Sequence, residues 1–263
     1  MARAGMLGRT RPTRGPMRGS RSPVTLQLAA KHTRAMRLAV LDMNGTTVTD
    51  GGAAERAVEQ ALASCGVTGE RLADALARSR RSAGLDRSAL FAQVFADDSG
   101  SARAAARTFS AAYDAMIAEG AVEPVPGAEE TVHALRERGV KVCLVTGFGR
   151  HTQNSSLEAL GWMGLADLSL CSEDAGRGRP SPDMVLTAVL ALDIEDVRDV
   201  VVVGDTEADI ASGLRSGAGA AVGVLTGAQT EAELRAAGAT DVVRSIADLP
   251  ALLWPEPAGF RQS

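Results

Sequence analysis

A chain of 263 residues with 45% hydrophobic and 23% charged side chains suits one large domain, or a core of about 150 residues with a smaller partner. No apolar run approaches the ~18 residues that a membrane helix requires. Residues 1–36 carry a charge of +8 against a net charge of −4, which leaves −12 on the rest and argues against nucleic acid as the main partner.

The first 35 residues hold seven arginines and Lys31 among Gly and Pro, and no acid precedes Asp42. This segment reads as a disordered, Arg-rich extension. Its best candidate for a secretory core, VTLQLAA, is too short and contains Gln27. A transit peptide is a rival reading; an inert extension, or a start at Met36, is favoured. Cys65, Cys143 and Cys171 are odd in number and form no C-x-x-C pair, as expected for reduced thiols in a cytoplasmic protein.

RLAVLDM (37–43) is a short apolar run ending in an acid, the pattern of a buried parallel strand. Gly45, Thr46 and Thr47 then turn the chain. From 53 to 119 the period is helical: Val58, Ala61, Leu62 and Cys65 share one face, and Phe109, Ala112, Tyr113, Met116 and Ile117 another. Gly66 and Gly120 are stop signals, and Pro124 and Pro126 mark a linker. Beyond it helices and apolar strands alternate. The strands are VKVCLVTG, a short one near 168–170, DVVVVGD, AAVGVL and one at 241–243. Repeated βα units predict an α/β fold with a doubly wound parallel sheet, interrupted after its first strand by about 70 helical residues.

Ligands of such a sheet sit at the carboxyl ends of its strands. Those ends deliver Asp42 and Asn44, then Thr146 and Gly147, then Asp205, Thr206 and Asp209; Arg179 lies in the loop GRGRPSPDM. Crowded carboxylates repel one another, and Mg²⁺, which takes oxygen ligands, relieves the repulsion. Asp42 can then attack phosphorus in line and form an aspartyl-phosphate. Thr146 and the Gly147 N–H would hold phosphoryl oxygens, with Gly45 and Thr46 of the turn on the same side. Arg179 would offset the spread charge and keep Asp42 in place.

The ordered strings DMNGTT, LVTG, GRPSPDM and VVVGDTEADI resemble the four motifs of the haloacid-dehalogenase superfamily and span about 37–253. LDMNGTTV, VTGFGRHT, GVLTG, IADLPALL and an arginine at 179 are most similar to its phosphonatase-like hydrolases, relatives of phosphonoacetaldehyde hydrolase. The resemblance implies a Rossmann-like core (36–50 and 123–255), an inserted all-α cap (51–122) and a tail (256–263). It implies Mg²⁺ held by Asp42, the Asn44 carbonyl and Asp205, with Asp209 in support. It also implies a small phosphorylated or phosphonate substrate, and a cap-mediated homodimer.

Two departures bear on the reaction. Superfamily phosphatases carry a second aspartate two positions after the nucleophile; here it is Asn44, whose amide donates no proton at neutral pH. That loss costs about 10²–10⁴ in rate for poor leaving groups. The phosphonoacetaldehyde enzyme forms an imine with a cap lysine, but Lys31 and Lys141 are the only lysines and Arg87 aligns where that lysine would stand. C–P cleavage by that route is therefore disfavoured, and a non-hydrolytic phosphate binder is a further alternative. Dehalogenation, which needs no metal, ranks low beside the metal-type pair Asp205 and Asp209.

Taken singly, the residues have plainer readings. Asp42 can merely end a strand, and Asp205 can cap a helix. Asp209 reads equally as an exposed first-turn acid, Asn44 as a turn residue and Arg87 as a solvated helix charge. His133 and His151 show no metal spacing, and Phe148 can line a pocket or simply pack. No P-loop, dinucleotide fingerprint, nucleophile elbow or H-E-x-x-H motif is present.

Overall fold

The computed structural model describes residues 35–81, 87–96 and 98–255. The expectations for residues 1–34 and 256–263 lie outside these.

Six strands form one sheet in the order β5-β4-β1-β6-β7-β8, every neighbouring pair parallel. They are β1 (Leu38–Asp42), β4 (Lys141–Thr146), β5 (Leu168–Cys171), β6 (Val200–Gly204), β7 (Ala220–Val224) and β8 (Asp241–Val243). The chain leaves β1 for β4 on one side and later returns to β6 on the other, so the order reverses at β1. A crevice opens at such a reversal, outside the carboxyl ends.

The apolar runs are buried on both faces, as a covered parallel sheet requires. Ala39 and Leu41 of β1 join one core with Val142, Leu144, Val201 and Val203. Their alternates Leu38 and Val40 join a second core with Cys143, Val145, Val200 and Val202. Helices α5 (Ala128–Glu137), α6 (Arg150–Ala159) and α11 (Leu249–Leu253) cover the first face. Helix α8 (Asp183–Ala191) covers the second through Met184, Val185 and Ala188. Two more helices, α9 (Glu207–Ser216) and α10 (Glu231–Ala236), pack on β7 through Ile210 and Leu234. A single helical turn, α7 (Ser172–Ala175), follows β5 directly and has no periodicity to announce it.

Between β1 and β4 the described residues form four helices: α1 (Ala53–Ser64), α2 (Gly69–Arg81), α3 (Arg87–Phe95) and α4 (Ser99–Ala118). Helix α4 begins at Asp98, whose carboxylate accepts the Gly100 and Ser101 N–H groups, a side-chain N-cap. It packs on α1, on α3 and, toward the sheet, on α6. The two linkers that tie this block to the sheet are strands: β2 (Val48–Thr49) pairs antiparallel with β3 (Glu123–Pro124). Pro124, read from sequence as plain linker, thus stands in a two-residue strand. Aromatic rings carry the contact onward. Tyr113 and Phe109 of α4 lie 4.9 and 5.8 Å, centroid to centroid, from Phe148 beyond β4.

No helix among the described residues is long and apolar enough to cross a membrane. Cys65, Cys143 and Cys171 are all free thiols.

Candidate active site

The register of the sheet brings the strand ends together. Asp42 ends β1 opposite Val145, one residue before Thr146 ends β4. Asp205 directly follows the last residue of β6. A cavity of about 390 Å³ opens there, lined by Asp42, Asn44, Thr146, Gly147, Arg179 and Asp205 among others.

Carboxylate oxygens of Asp42, Asp205 and Asp209 lie within 4.8 Å of one another, and all three residues are buried. One nitrogen of Arg179, Nη1, ion-pairs with both Asp42 and Asp209. Burial works against the Arg179 charge, but Asp209 and Asp42 outweigh it and keep the guanidinium protonated. Burial pushes the Asp42 carboxyl well above its ordinary range; Arg179 pulls it down, and Asp209 and Asp205 push it up again. Burial and then Asp209 raise Asp205 to about 6, against the Ala228 N–H that stabilises its anion.

Ionised together, the three carboxylates exceed the one guanidinium by two negative charges in a buried cluster. The ligand atoms on offer are all oxygen. Both features fit a hard divalent cation, which would discharge the excess.

Asp205 sits in a socket of backbone. A Cβ on Gly45, whose φ is +91°, would fall 2.5 Å from Asp205 Oδ2, and one on Gly227 would fall 2.0 Å from it. The Ala228 N–H donates to Oδ2 at 2.7 Å, and Thr226 Oγ1 donates to the Gly45 carbonyl at 2.7 Å. Thr206, not Asp205, caps α9, in a capping box with Asp209. The helix-cap alternative for Asp205 therefore fails. Asp209 is 1% exposed, so it is not the exposed first-turn acid of the plainer reading. Thr46, expected beside the phosphate, is fully buried; its hydroxyl lies 3.4 Å from Asp205 Oδ1 and does not line the cavity.

Thr146 Oγ1 accepts the Phe148 N–H at 3.2 Å, so that bond leaves its own hydroxyl hydrogen to donate. Gly147 lines the cavity beside it. The Asn44 amide is fixed: Nδ2 donates to Tyr113 Oη at 2.8 Å and to Asp50 Oδ2 at 3.2 Å. Tyr113 Oη in turn lies 3.0 Å from Asp50 Oδ2 and donates to it. Both amide hydrogens are thereby used, and Asn44 keeps only its carbonyl oxygen as an acceptor.

Sequence reasoning found the residues at the strand ends and missed their supports. Tyr113 was read only as one of an apolar face, and Asp50, Gly227 and Ala228 were not singled out. Arg87, expected as a solvated charge, is half-buried and lines the same cavity as Asp42. His151, second residue of α6, lies on the surface 3.5 Å from Asp114. Lys141 is at the opposite end of β4 from Thr146 and bonds Asp167 at 3.1 Å.

A family model described as haloacid dehalogenase-like hydrolase matches residues 36–217. The chain is 40% identical over 96 residues to a phosphonoacetaldehyde hydrolase of Bordetella pertussis, covering 36% of this chain and 35% of the other. It is 32% identical over 145 residues to the validoxylamine A 7'-phosphate phosphatase of Streptomyces hygroscopicus subsp. limoneus, covering 55% and 64%. The chain thus spans less than two thirds of the length of these curated relatives. A solved phosphonoacetaldehyde hydrolase-like protein from Oleispira antarctica superposes with a TM-score of 0.72 at 24% identity, over 84% of this chain and 92% of that one. At that identity the likeness is one of fold.

Proposed function

We propose, because the chain belongs to the haloacid dehalogenase-like hydrolase family, that it cleaves the phosphoryl group of a small phosphorylated metabolite through an aspartyl-phosphate on Asp42, in a Mg²⁺-dependent reaction. The observation that carries this reading is the set of three buried carboxylates within 4.8 Å of one another, served by a single arginine. Two of its relatives bear the names of a phosphate phosphatase and a phosphonate hydrolase, which supports a phosphorus substrate.

Asp42, Asp205 and the Asn44 backbone carbonyl would hold the cation, with Asp209 in support. Mg²⁺ there supplies the positive charge that lets an anionic carboxylate approach an anionic phosphoryl group. Thr146 Oγ1–H and the Gly147 N–H donate to phosphoryl oxygens, with Gly45 beside them. Arg179 holds the Asp42 carboxylate in position through its Nη1. An Asp42 oxygen forms a bond to phosphorus as the bond from phosphorus to the leaving atom breaks. Water then cleaves the acyl-phosphate, returning Asp42 and inorganic phosphate.

With its amide hydrogens committed, Asn44 protonates nothing. The leaving group therefore takes its proton from solvent, which favours acyl, aryl or similarly stabilised leaving groups over simple alkoxides. The helical block, residues 51–122, acts as a cap over a core formed by 36–50 and 123–255. Arg87, Ser79 and Arg80 from that block line the cavity that holds Asp42, in support of this assignment.

Imine-based cleavage of a C–P bond is not adopted, since no lysine lines this cavity among the described residues. The Asn44 geometry does favour one second reading, a protein that binds phosphate compounds and turns them over little or not at all. Phosphate release from aryl phosphates, acyl phosphates and phosphonates, with and without Mg²⁺, separates the two. Hydrolysis that needs Mg²⁺ and vanishes in Asp42→Asn supports the enzyme. Saturable binding with no release in any case supports the binder.

A further inference from the structure

We infer that a second cavity, between the inserted block and the loop after β4, seats an aromatic ring of the substrate, so that this chain prefers aryl phosphates. This rests on the phosphoryl-transfer reading above and names its substrate class.

The second cavity measures about 200 Å³ and shares Arg87, Gly147 and Phe148 with the cavity that holds Asp42. The two therefore adjoin beside Gly147, where the phosphoryl group is held. In-line displacement puts the leaving atom on the far side of phosphorus from Asp42, away from the strand end. The inserted block walls the second cavity with Phe91 of α3 and with Ala106, Phe109 and Ser110 of α4.

Three of the walls are aromatic. Phe91 and Phe109 are buried, their ring centroids 6.0 Å apart and their planes tilted by 55°. Phe148 stands 5.8 Å from Phe109, tilted by 44°. Rings tilted at these spacings offer faces and edges against which a further ring packs. Ala106 adds a small apolar wall, and Thr152 and Ser172 add hydroxyl-bearing ones. Ser110 and Glu173 are exposed and mark the mouth. An apolar cavity of about 150 Å³ holds one benzene ring, so this one has room for a single ring with a small substituent. The leaving-group chemistry agrees. Asn44 commits both amide hydrogens to Tyr113 and Asp50 and protonates nothing. A phenolate departs without a proton far more readily than an alkoxide does. Hydrogen bonding at Asn44 and the shape of the second cavity thus select the same class of leaving group.

The test is calorimetric binding, with Mg²⁺, of benzylphosphonate, ethylphosphonate and cyclohexylmethylphosphonate. In each a CH₂ stands in for the ester oxygen, so leaving-group acidity plays no part. The wild-type chain should bind benzylphosphonate about tenfold or more tighter than ethylphosphonate. It should bind it about threefold or more tighter than the cyclohexyl compound, which has similar bulk and no π face. Ser110→Phe, which fills the mouth, should bring the benzyl-to-ethyl ratio to near one; Ala106→Leu takes its place if that variant does not fold. A wild-type ratio near one, a cyclohexyl compound that binds as tightly as the benzyl one, or a filled cavity that keeps the preference overturns the ring site. Phosphate release from phenyl phosphate tests the phosphoryl-transfer reading separately. Binding at the expected ratios with no release keeps the ring site and removes that reading; release with no benzyl preference removes the ring site alone. If none of the three phosphonates binds, the ring site fails.

Discussion

The amide nitrogen of Asn44 and the hydroxyl of Tyr113 meet at 2.8 Å, although the residues stand 69 positions apart. One follows the first strand of the sheet and the other is fully buried in the long helix of the inserted block. The bond ties that block to the residue two places after Asp42. It also commits an amide hydrogen of Asn44.

Removing the Tyr113 hydroxyl leaves an Asn44 hydrogen without its acceptor and takes from Asp50 one of its donors, the others being Asn44 Nδ2 and the Gly52 and Ala54 N–H groups. Tyr113→Phe should therefore destabilise the protein by about 1–3 kcal/mol, read from chemical denaturation. Asn44→Asp puts a carboxyl beside Asp50, whose charge keeps the new group protonated to higher pH. That variant should speed phosphate release from alkyl phosphates, by up to about 10²-fold. No gain on alkyl phosphates would mean that position 44 does not face the leaving group.

Both acids that pair with Arg179 are bonded by the same nitrogen rather than by the two arms of the fork. A lysine ammonium can make the same two contacts, whereas an apolar side chain abandons two buried carboxylates. Arg179→Lys should thus fold and keep measurable activity. Arg179→Met should lose about 3–5 kcal/mol of stability and nearly all turnover. Equal damage from both substitutions, measured by denaturation and phosphate release, would show that the fork itself is needed.

A methyl group at position 227 would fall 2.0 Å from Asp205 Oδ2. Gly227→Ala must displace that carboxylate or its loop, at a cost of about 1–3 kcal/mol. The Mg²⁺ concentration that half-saturates activity should rise in this variant, more than KM for the ester does. An unchanged Mg²⁺ requirement would place the cation away from Asp205.

The strand-end residues were legible because short apolar runs ended in Asp42, Thr146 and Gly204–Asp205, and parallel strands must gather their ends. The helical block was legible from period alone, since Phe109, Tyr113 and Ile117 fall on one buried face. What periodicity cannot carry is a contact between distant segments. The two-residue strands at Val48 and Glu123 are too short for a pattern, and Pro124 disguised one of them. Tyr113 read as core because its ring is core; its hydroxyl partner depends on how the block docks. Gly227 and Ala228 hold Asp205 through backbone, which sequence chemistry does not display. Arg87 read as solvent-facing because its exposure depends on residues distant in sequence, among them Phe148 in the loop after β4.

In metal-free protein the raised Asp205 carboxyl sets the sign of the pH dependence. Its folded value of about 6 lies above the ordinary 3.8. The folded state thus holds that proton more tightly than the unfolded chain does. The stability this contributes is complete below about pH 4 and is lost as pH climbs through about 6. The raised Asp42 acts with the same sign. The Tm in the presence of a chelator should fall across that window. Added Mg²⁺ should raise Tm more above pH 7 than at pH 5, because it competes with protons for the same oxygens. A chelated protein whose Tm climbs from pH 4 to pH 6.5 would contradict the charge balance drawn for this pocket.

The most direct measurement is mass spectrometry of the chain quenched in acid during turnover of an activated phosphate ester. The account predicts one phosphoryl group on the peptide carrying Asp42, formed only with Mg²⁺ and absent from Asp42→Asn. Phosphate release that persists in Asp42→Asn, or a phosphoryl group found on another residue, would contradict it.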